Sequence, residues 1–131
     1  MSVEGKVCLL TGASEGIGRA TARALAQRGA SVVLAARSAG ALEDLKAELE
    51  AFPGERLVVP ADLSQEAERE RLVEQALAHF GRVDVLINNA GVGLDAPVEA
   101  HSLAEARYLF EVNFFAALHL IQLLLPPMRQ Q

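Results

Sequence analysis

Eight residues, Thr11-Gly12-Ala13-Ser14-Glu15-Gly16-Ile17-Gly18, constrain this chain more than any other stretch, because they join an apolar strand to a helix through a glycine-rich turn. Val7-Cys8-Leu9-Leu10 before them is a short apolar run of the kind required by a strand buried on both faces of a parallel sheet. After them, Arg19 to Arg28 is rich in Ala, Leu and Arg, and Gly29 stands where glycine commonly ends a helix. An anion can rest on the free N–H groups and positive dipole end of a helix only where no Cβ blocks its approach, and glycine also permits φ > 0 in the turn. The spacing therefore assigns Gly12 to the turn, Gly16 to the approach and Gly18 to close packing of helix on strand. The order Gly-x-x-x-Gly-x-Gly departs from the Gly-x-Gly-x-x-Gly of the general dinucleotide fingerprint. Arg19-Ala20 after Gly18 excludes the Lys-Ser/Thr ending of a P-loop. Taken in isolation, the same residues also suit a tight strand-to-helix turn that holds no ligand.

Strand and helix patterns then alternate down the chain. Ser31 to Ala36 reads as a second strand and ends at Arg37-Ser38. Leu42, Leu45, Leu49 and Phe52 recur at helical spacing and stop at Pro53-Gly54. Arg56 to Pro60 is a third strand. Asp62-Leu63-Ser64 leads into a helix with Ser64 as its expected N-cap and Glu66 and Glu68 in its first turn, closed by Gly81. Val83 to Ile87 is a fourth strand and runs into Asn88-Asn89-Ala90-Gly91. Ser102 and Glu105, at capping-box spacing, open a last helix predicted to run to Leu125 and to end at Pro126-Pro127, about 35 Å at 1.5 Å per residue. Its second half, from Phe114 to Leu125, shows almost no polar face and is expected to be buried. Strand-helix alternation of this kind predicts right-handed crossovers and a parallel sheet in a single α/β domain.

Bulk properties exclude several classes of function. With a hydrophobic fraction of 51% the chain can build a core, and with 5% aromatic residues that core is aliphatic. A net charge of −5 argues against nucleic acid or an anionic membrane as partner, so any anionic ligand must be held locally. Cys8 is the only cysteine, which excludes an internal disulfide and a cysteine-based zinc site. His79, His101 and His119 lack ligand spacing, and no metal is assigned. Phe114 to Leu125 reads as too short to span a bilayer, and no h-region follows Met1, so a cytoplasmic protein is expected.

The glycine turn, Asp62-Leu63, Asn88-Asn89-Ala90-Gly91 and Asn113 occur in an order that resembles the short-chain dehydrogenase/reductase family over the whole of this chain. The resemblance implies a Rossmann-type, doubly wound parallel sheet in the order 3-2-1-4, with a nucleotide at the switch point. It implies that Gly12, Ser14, Glu15, Gly16, Ile17 and Gly18 cradle the pyrophosphate. Asp62 would meet the adenine amino group, with Leu63 offering its backbone, although a helix-entry aspartate beside Ser64 accounts for Asp62 equally. Asn89, Ala90 and Gly91 would pass under a cofactor ribose, and Asn88 would tie neighbouring strands. Asn113 matches the family's catalytic asparagine, which helps hold a water in a proton relay and often marks a helix kink. A carboxylate ending strand 2 would select NAD, whereas this chain has Ala36 followed by Arg37 and Ser38, so NADP is preferred. Glu15 pulls the other way, since many NADP-dependent relatives carry a basic residue there.

The family's chemistry also needs a serine and a Tyr-x-x-x-Lys. Tyr108 is the only tyrosine and is followed four residues later by Val112, so it is not that acid. Residues 1–131 are therefore expected to be a Rossmann domain incomplete at its C-terminal side, truncated before strand 5. The full protein would be an NADP-dependent oxidoreductase acting on a small carbonyl or alcohol. A noncatalytic dinucleotide-binding or scaffolding module is the alternative. The unpaired strand 4 and the apolar last helix predict a homo-oligomer with Phe114, Phe115 and Leu118 near the contact.

Overall fold

A computed structural model describes residues 1–131. Strands β1 (Val7–Thr11), β2 (Ser31–Ala36), β3 (Arg56–Pro60) and β4 (Val85–Ile87) form one parallel sheet in the order β3-β2-β1-β4. Helices α1 (Gly16–Gln27) and α2 (Ala39–Leu49) pack on one face. Helices α3 (Glu66–Phe80) and α5 (Ala116–Gln130) pack on the other. Cys8 and Leu10 of β1 join Ala22, Ala26, Leu42 and Leu45 in one core, while Leu9 joins Leu72, Ala76, Leu120 and Leu124 in the second. Burial on both faces is why β1 and β2 read as continuous apolar runs. Burial, with Asp84 nearby, pushes the Cys8 thiol up to about 11, so it stays protonated and unreactive at neutral pH.

Two expected boundaries move because a side chain competes for the backbone. Ser64 is not the N-cap of α3: its N–H and hydroxyl both donate to Oδ1 of Asp62, at 3.0 and 2.7 Å, and Gln65 takes the cap position. Strand β4 begins at Val85 and not at Val83. The Gln131 side chain binds both the N–H and the carbonyl of Val83, and the Asp84 carboxylate accepts the Val7 N–H at 2.8 Å, so side chains take over pairing here and only the Asp84 N–H still donates to a β1 carbonyl, that of Val7 at 2.8 Å.

The largest change concerns the last helix. After a single 3₁₀ turn at Val98–Ala100, α4 (Leu103–Phe110) starts on the expected capping box of Ser102 and Glu105. It passes through a π-helical segment (Glu111–Phe115) into α5, which continues past Pro126 and Pro127 to Gln130. Proline in a helix interior removes a hydrogen bond and costs about 3 kcal/mol. Here the far end is anchored, since Met128 packs on the sheet core and Gln131 clamps Val83. The continuous helix of 28 residues is long and apolar enough to cross a membrane, which corrects the expectation that it is too short. In this fold its second half buries only the stripe of Ala116, Leu120 and Leu124, so that half is not enclosed as the sequence suggests. Phe110, Phe114 and Phe115 remain 58%, 55% and 49% exposed.

Candidate functional site

Parallel strands bring the residues that follow β1, β2, β3 and β4 to one edge of the sheet, where a cleft of about 580 Å³ opens. Gly12, Ser14, Glu15 and Ile17 line it from the first turn, Arg37 and Ser38 from the second, and Asp62 and Leu63 from the third. Asn89, Ala90 and Gly91 line it after β4. Gly16 and Gly18 do not line the cleft but shape the turn, and Asn113 stands behind it. Ala36, Ala41, Ala61, Val92, Tyr108 and Val112 complete the wall and were not anticipated as contacts. Tyr108 and Val112 are four apart on one helical surface, a spacing that sequence alone displays.

The glycines divide their work as the turn demands. Gly12 has φ +65° and a Cβ there would stand 2.8 Å from Nδ2 of Asn89 and 2.9 Å from Cα of Ala90. A Cβ on Gly18 would lie 1.8 Å from the carbonyl oxygen of Gly12, so α1 and β1 approach as closely as backbones allow. Gly16, at φ +57°, would meet nothing within 4 Å. Beside it the N–H groups of Gly16, Ile17 and Gly18 have no partner in the chain. Open space over free N–H groups at a helix start is the arrangement in which helix N-termini accept anions.

Thr11, to which the sequence assigned no separate role, is buried between the ends of β1 and β4. Its hydroxyl oxygen accepts from the N–H groups of Asn89 and Ala90, both at 3.0 Å. Asn89 in turn donates from Nδ2 to the carbonyls of Thr11 and Gly12 at 3.3 and 3.2 Å. The amide that ties the strand ends is thus that of Asn89 and not of Asn88, which reaches the helix at the Ala117 carbonyl at 3.5 Å. The register that pairs Leu10 with Ile87 sets Thr11 level with Asn88 and Gly12 level with Asn89, so the Asn89 amide stands beside the two carbonyls it reaches.

Asp62 lines the cleft, where its Oδ1 holds Ser64, as the helix-entry alternative requires, and its Oδ2 has no partner in the chain. The Leu63 carbonyl accepts from Nη1 of Arg69 at 2.9 Å, so the group Leu63 offers is its unpaired N–H. Arg69 is only 4% exposed and also donates to Glu111 at 2.9 Å and to Nδ1 of His119 at 3.0 Å, linking this loop to the π segment. The fold also brings Glu66, Glu70 and His119 within 4.8 Å of one another, a grouping that spacing did not reveal. With Nδ1 accepting from Arg69, the neutral ring carries its proton on Nε2, which leaves no imidazole lone pair for a metal.

At Ser38 the side-chain oxygen caps α2 by accepting from the Ala41 N–H at 3.3 Å, and its own proton is free to donate. The N–H groups of Ala39 and Gly40 are unpaired at the same helix start. The Arg37 guanidinium makes no ion pair, and its one hydrogen bond is to the Tyr108 hydroxyl.

Asn113 marks the helix irregularity that its residue type predicts, in the form of a π turn. One extra residue per turn changes which side chain faces the loop after β4. Oδ1 accepts from the Val92 N–H and Nδ2 donates to the Val92 carbonyl, both at 2.7 Å, so the amide pairs with that residue much as a neighbouring strand would. The side chain is therefore occupied in holding the loop.

A sheet that reverses its order at β1, a free helix start over an open glycine and paired asparagines at the opposite strand end are joined in one cleft. Residues 6–131 match the family described as short chain dehydrogenase. The chain belongs to that family. The ketoacyl reductase HetN of Nostoc sp. is 40% identical over 130 residues, covering 99% of this chain and 45% of that protein. L-sorbose reductase from Gluconobacter frateurii, solved with NADPH and L-sorbose, superposes with a TM-score of 0.95 at 34% identity over 99% of this chain and 50% of that one. A short-chain dehydrogenase/reductase from Burkholderia phymatum, solved with NAD, gives a TM-score of 0.92 at 36% identity over 98% of this chain and 46% of its own. This short-chain dehydrogenase sequence thus spans about half the length of the relatives it matches.

Proposed function

We propose that the chain is the nucleotide-binding part of an NADP-dependent oxidoreductase that moves hydride between the nicotinamide and a carbonyl or alcohol carbon of a small molecule. The observation that carries NADP over NAD is the end of β2. Ala36 stands where a carboxylate would take a ribose 2′-hydroxyl, followed by an arginine free of any acid, the Ser38 hydroxyl and the unpaired N–H groups of Ala39 and Gly40. A 2′-phosphate suits that set. Glu15 on the cleft wall opposes it, and the NAD-bound relative keeps NAD as the second choice.

The residues of the cleft suit such a group along its length. The free N–H groups of Gly16 to Gly18 would take the pyrophosphate, Oδ2 of Asp62 and the Leu63 N–H would meet the adenine edge, and Asn89 to Gly91 would pass under the second ribose. Asn113 acts through Val92, fixing the loop that carries Gly91. The bound nucleotide supplies the hydride, and the chain supplies binding and orientation. Proton transfer in the family uses a Tyr-x-x-x-Lys, a pattern these 131 residues do not contain, so turnover is assigned to the whole protein. This reading is of a cytoplasmic homo-oligomer whose partners are neither nucleic acid nor membrane. A noncatalytic binding module would use the same residues. Calorimetry with both nucleotides tests the cofactor: Arg37→Ala is expected to weaken NADP by roughly thirtyfold, about 2 kcal/mol, and to leave NAD nearly unchanged. Equal weakening of both would refute the phosphate assignment.

A further inference from the structure

Tyr108 stands on α4, 71 residues from Arg37 in sequence, yet both line one cleft and Nη1 of Arg37 donates to the phenol oxygen at 3.4 Å. That distance is long for a hydrogen bond, as contacts at an unliganded site commonly are before a ligand tightens them. Two features of the pair point beyond packing. The phenol is neutral, so it restrains an exposed arginine without cancelling its charge, whereas a carboxylate in that place would compete with any anionic ligand. A phenol that accepts from a guanidinium also keeps its own O–H proton to donate.

We propose that Tyr108 determines nucleotide specificity. It holds Arg37 beside Ser38 at the start of α2 and donates its hydroxyl proton to the ligand's phosphate at that end. The inference rests on the cleft being the nucleotide site. Restraining Arg37 before binding reduces the rotamer freedom lost on binding, and this benefit reaches only a ligand that Arg37 contacts. NAD, with a hydroxyl in place of the 2′-phosphate, gains nothing from it.

Dissociation constants for NADP and NAD, with thermal midpoints, are to be measured for the 131-residue protein, Tyr108→Phe, Arg37→Ala and the double variant. Tyr108→Phe keeps the ring and is expected to weaken NADP by about three- to tenfold, with NAD and the midpoint unchanged. Added to Arg37→Ala, it is expected to cost less than it does alone, because the partner it positions is gone and only its own donation to the phosphate is left to lose. A wild-type protein that binds NADP, with a Tyr108→Phe effect that is nil or equal for both nucleotides, overturns this inference and leaves the nucleotide reading intact. A wild-type protein that binds neither nucleotide overturns both.

Discussion

The turn after β1 and the long helix from Leu103 to Gln130 line the same cleft, and they reach their shapes in opposite ways. In the turn, geometry is covalent and local: Gly12 and Gly16 take φ of +65° and +57°, and Gly18 lacks the one atom that would strike the Gly12 carbonyl. In the helix, local preference is overruled. Two prolines lie inside it, and a π turn interrupts it at Asn113. What holds it is remote: Ala116, Leu120 and Leu124 on the sheet, Asn113 on Val92, Glu111 on Arg69 and Gln131 on Val83. The comparison teaches that a ligand cradle built from backbone can be read from spacing, while a wall built from a helix depends on what the helix is fastened to.

The sharpest way to break the turn is Gly18→Ala. Its Cβ would collide with backbone, which has no side chain to move aside, so a loss of about 3 kcal/mol in unfolding free energy is expected, with loss of nucleotide binding. Chemical denaturation alongside a binding titration checks it, and near-normal binding would show that α1 can shift away from β1.

On the helix the expected effect falls on association. The face bearing Phe114, Phe115 and Leu118 lies outside the buried stripe, and β4 is an edge strand. Light scattering coupled to size exclusion at micromolar concentration is expected to give an oligomer, and Phe114→Arg to lower its mass. A monomer that binds no hydrophobic dye would contradict this.

The smallest effect sharpens how side chains replace the start of β4. Burial raises the Asp84 carboxyl, but the Arg82 guanidinium, the Val7 N–H and the charge of Lys6 outweigh it and hold it below the usual aspartate range. A depressed carboxylate contributes stability above its unfolded pKa and loses it as pH falls through the folded value. Stability is therefore expected to drop on acidification through and below the ordinary carboxylate range. Asp84→Asn should reduce that acid dependence and cost about 1 kcal/mol at neutral pH. Urea midpoints measured from pH 7 down to pH 3 give both numbers.

Several features were legible in the sequence alone. Apolar runs gave β1, β2 and β3, the glycine spacing gave the turn into α1, and Ser102 with Glu105 gave the start of α4, because each follows from the conformational limits of neighbouring residues. The family resemblance supplied the strand order that the sheet shows. Other features were not legible, since their causes lie far apart in sequence. Thr11 meets Asn89 and Ala90 across two strand ends, Arg69 meets Glu111 and His119, and Arg37 meets Tyr108. The amino-acid sequence by itself determined where the backbone may bend and which residues must be buried. Only the tertiary structure decided which asparagine ties the strands, how far the last helix runs past its prolines and which side of it stays exposed, because those outcomes are set by hydrogen bonds and packing between segments whose separation no local pattern encodes.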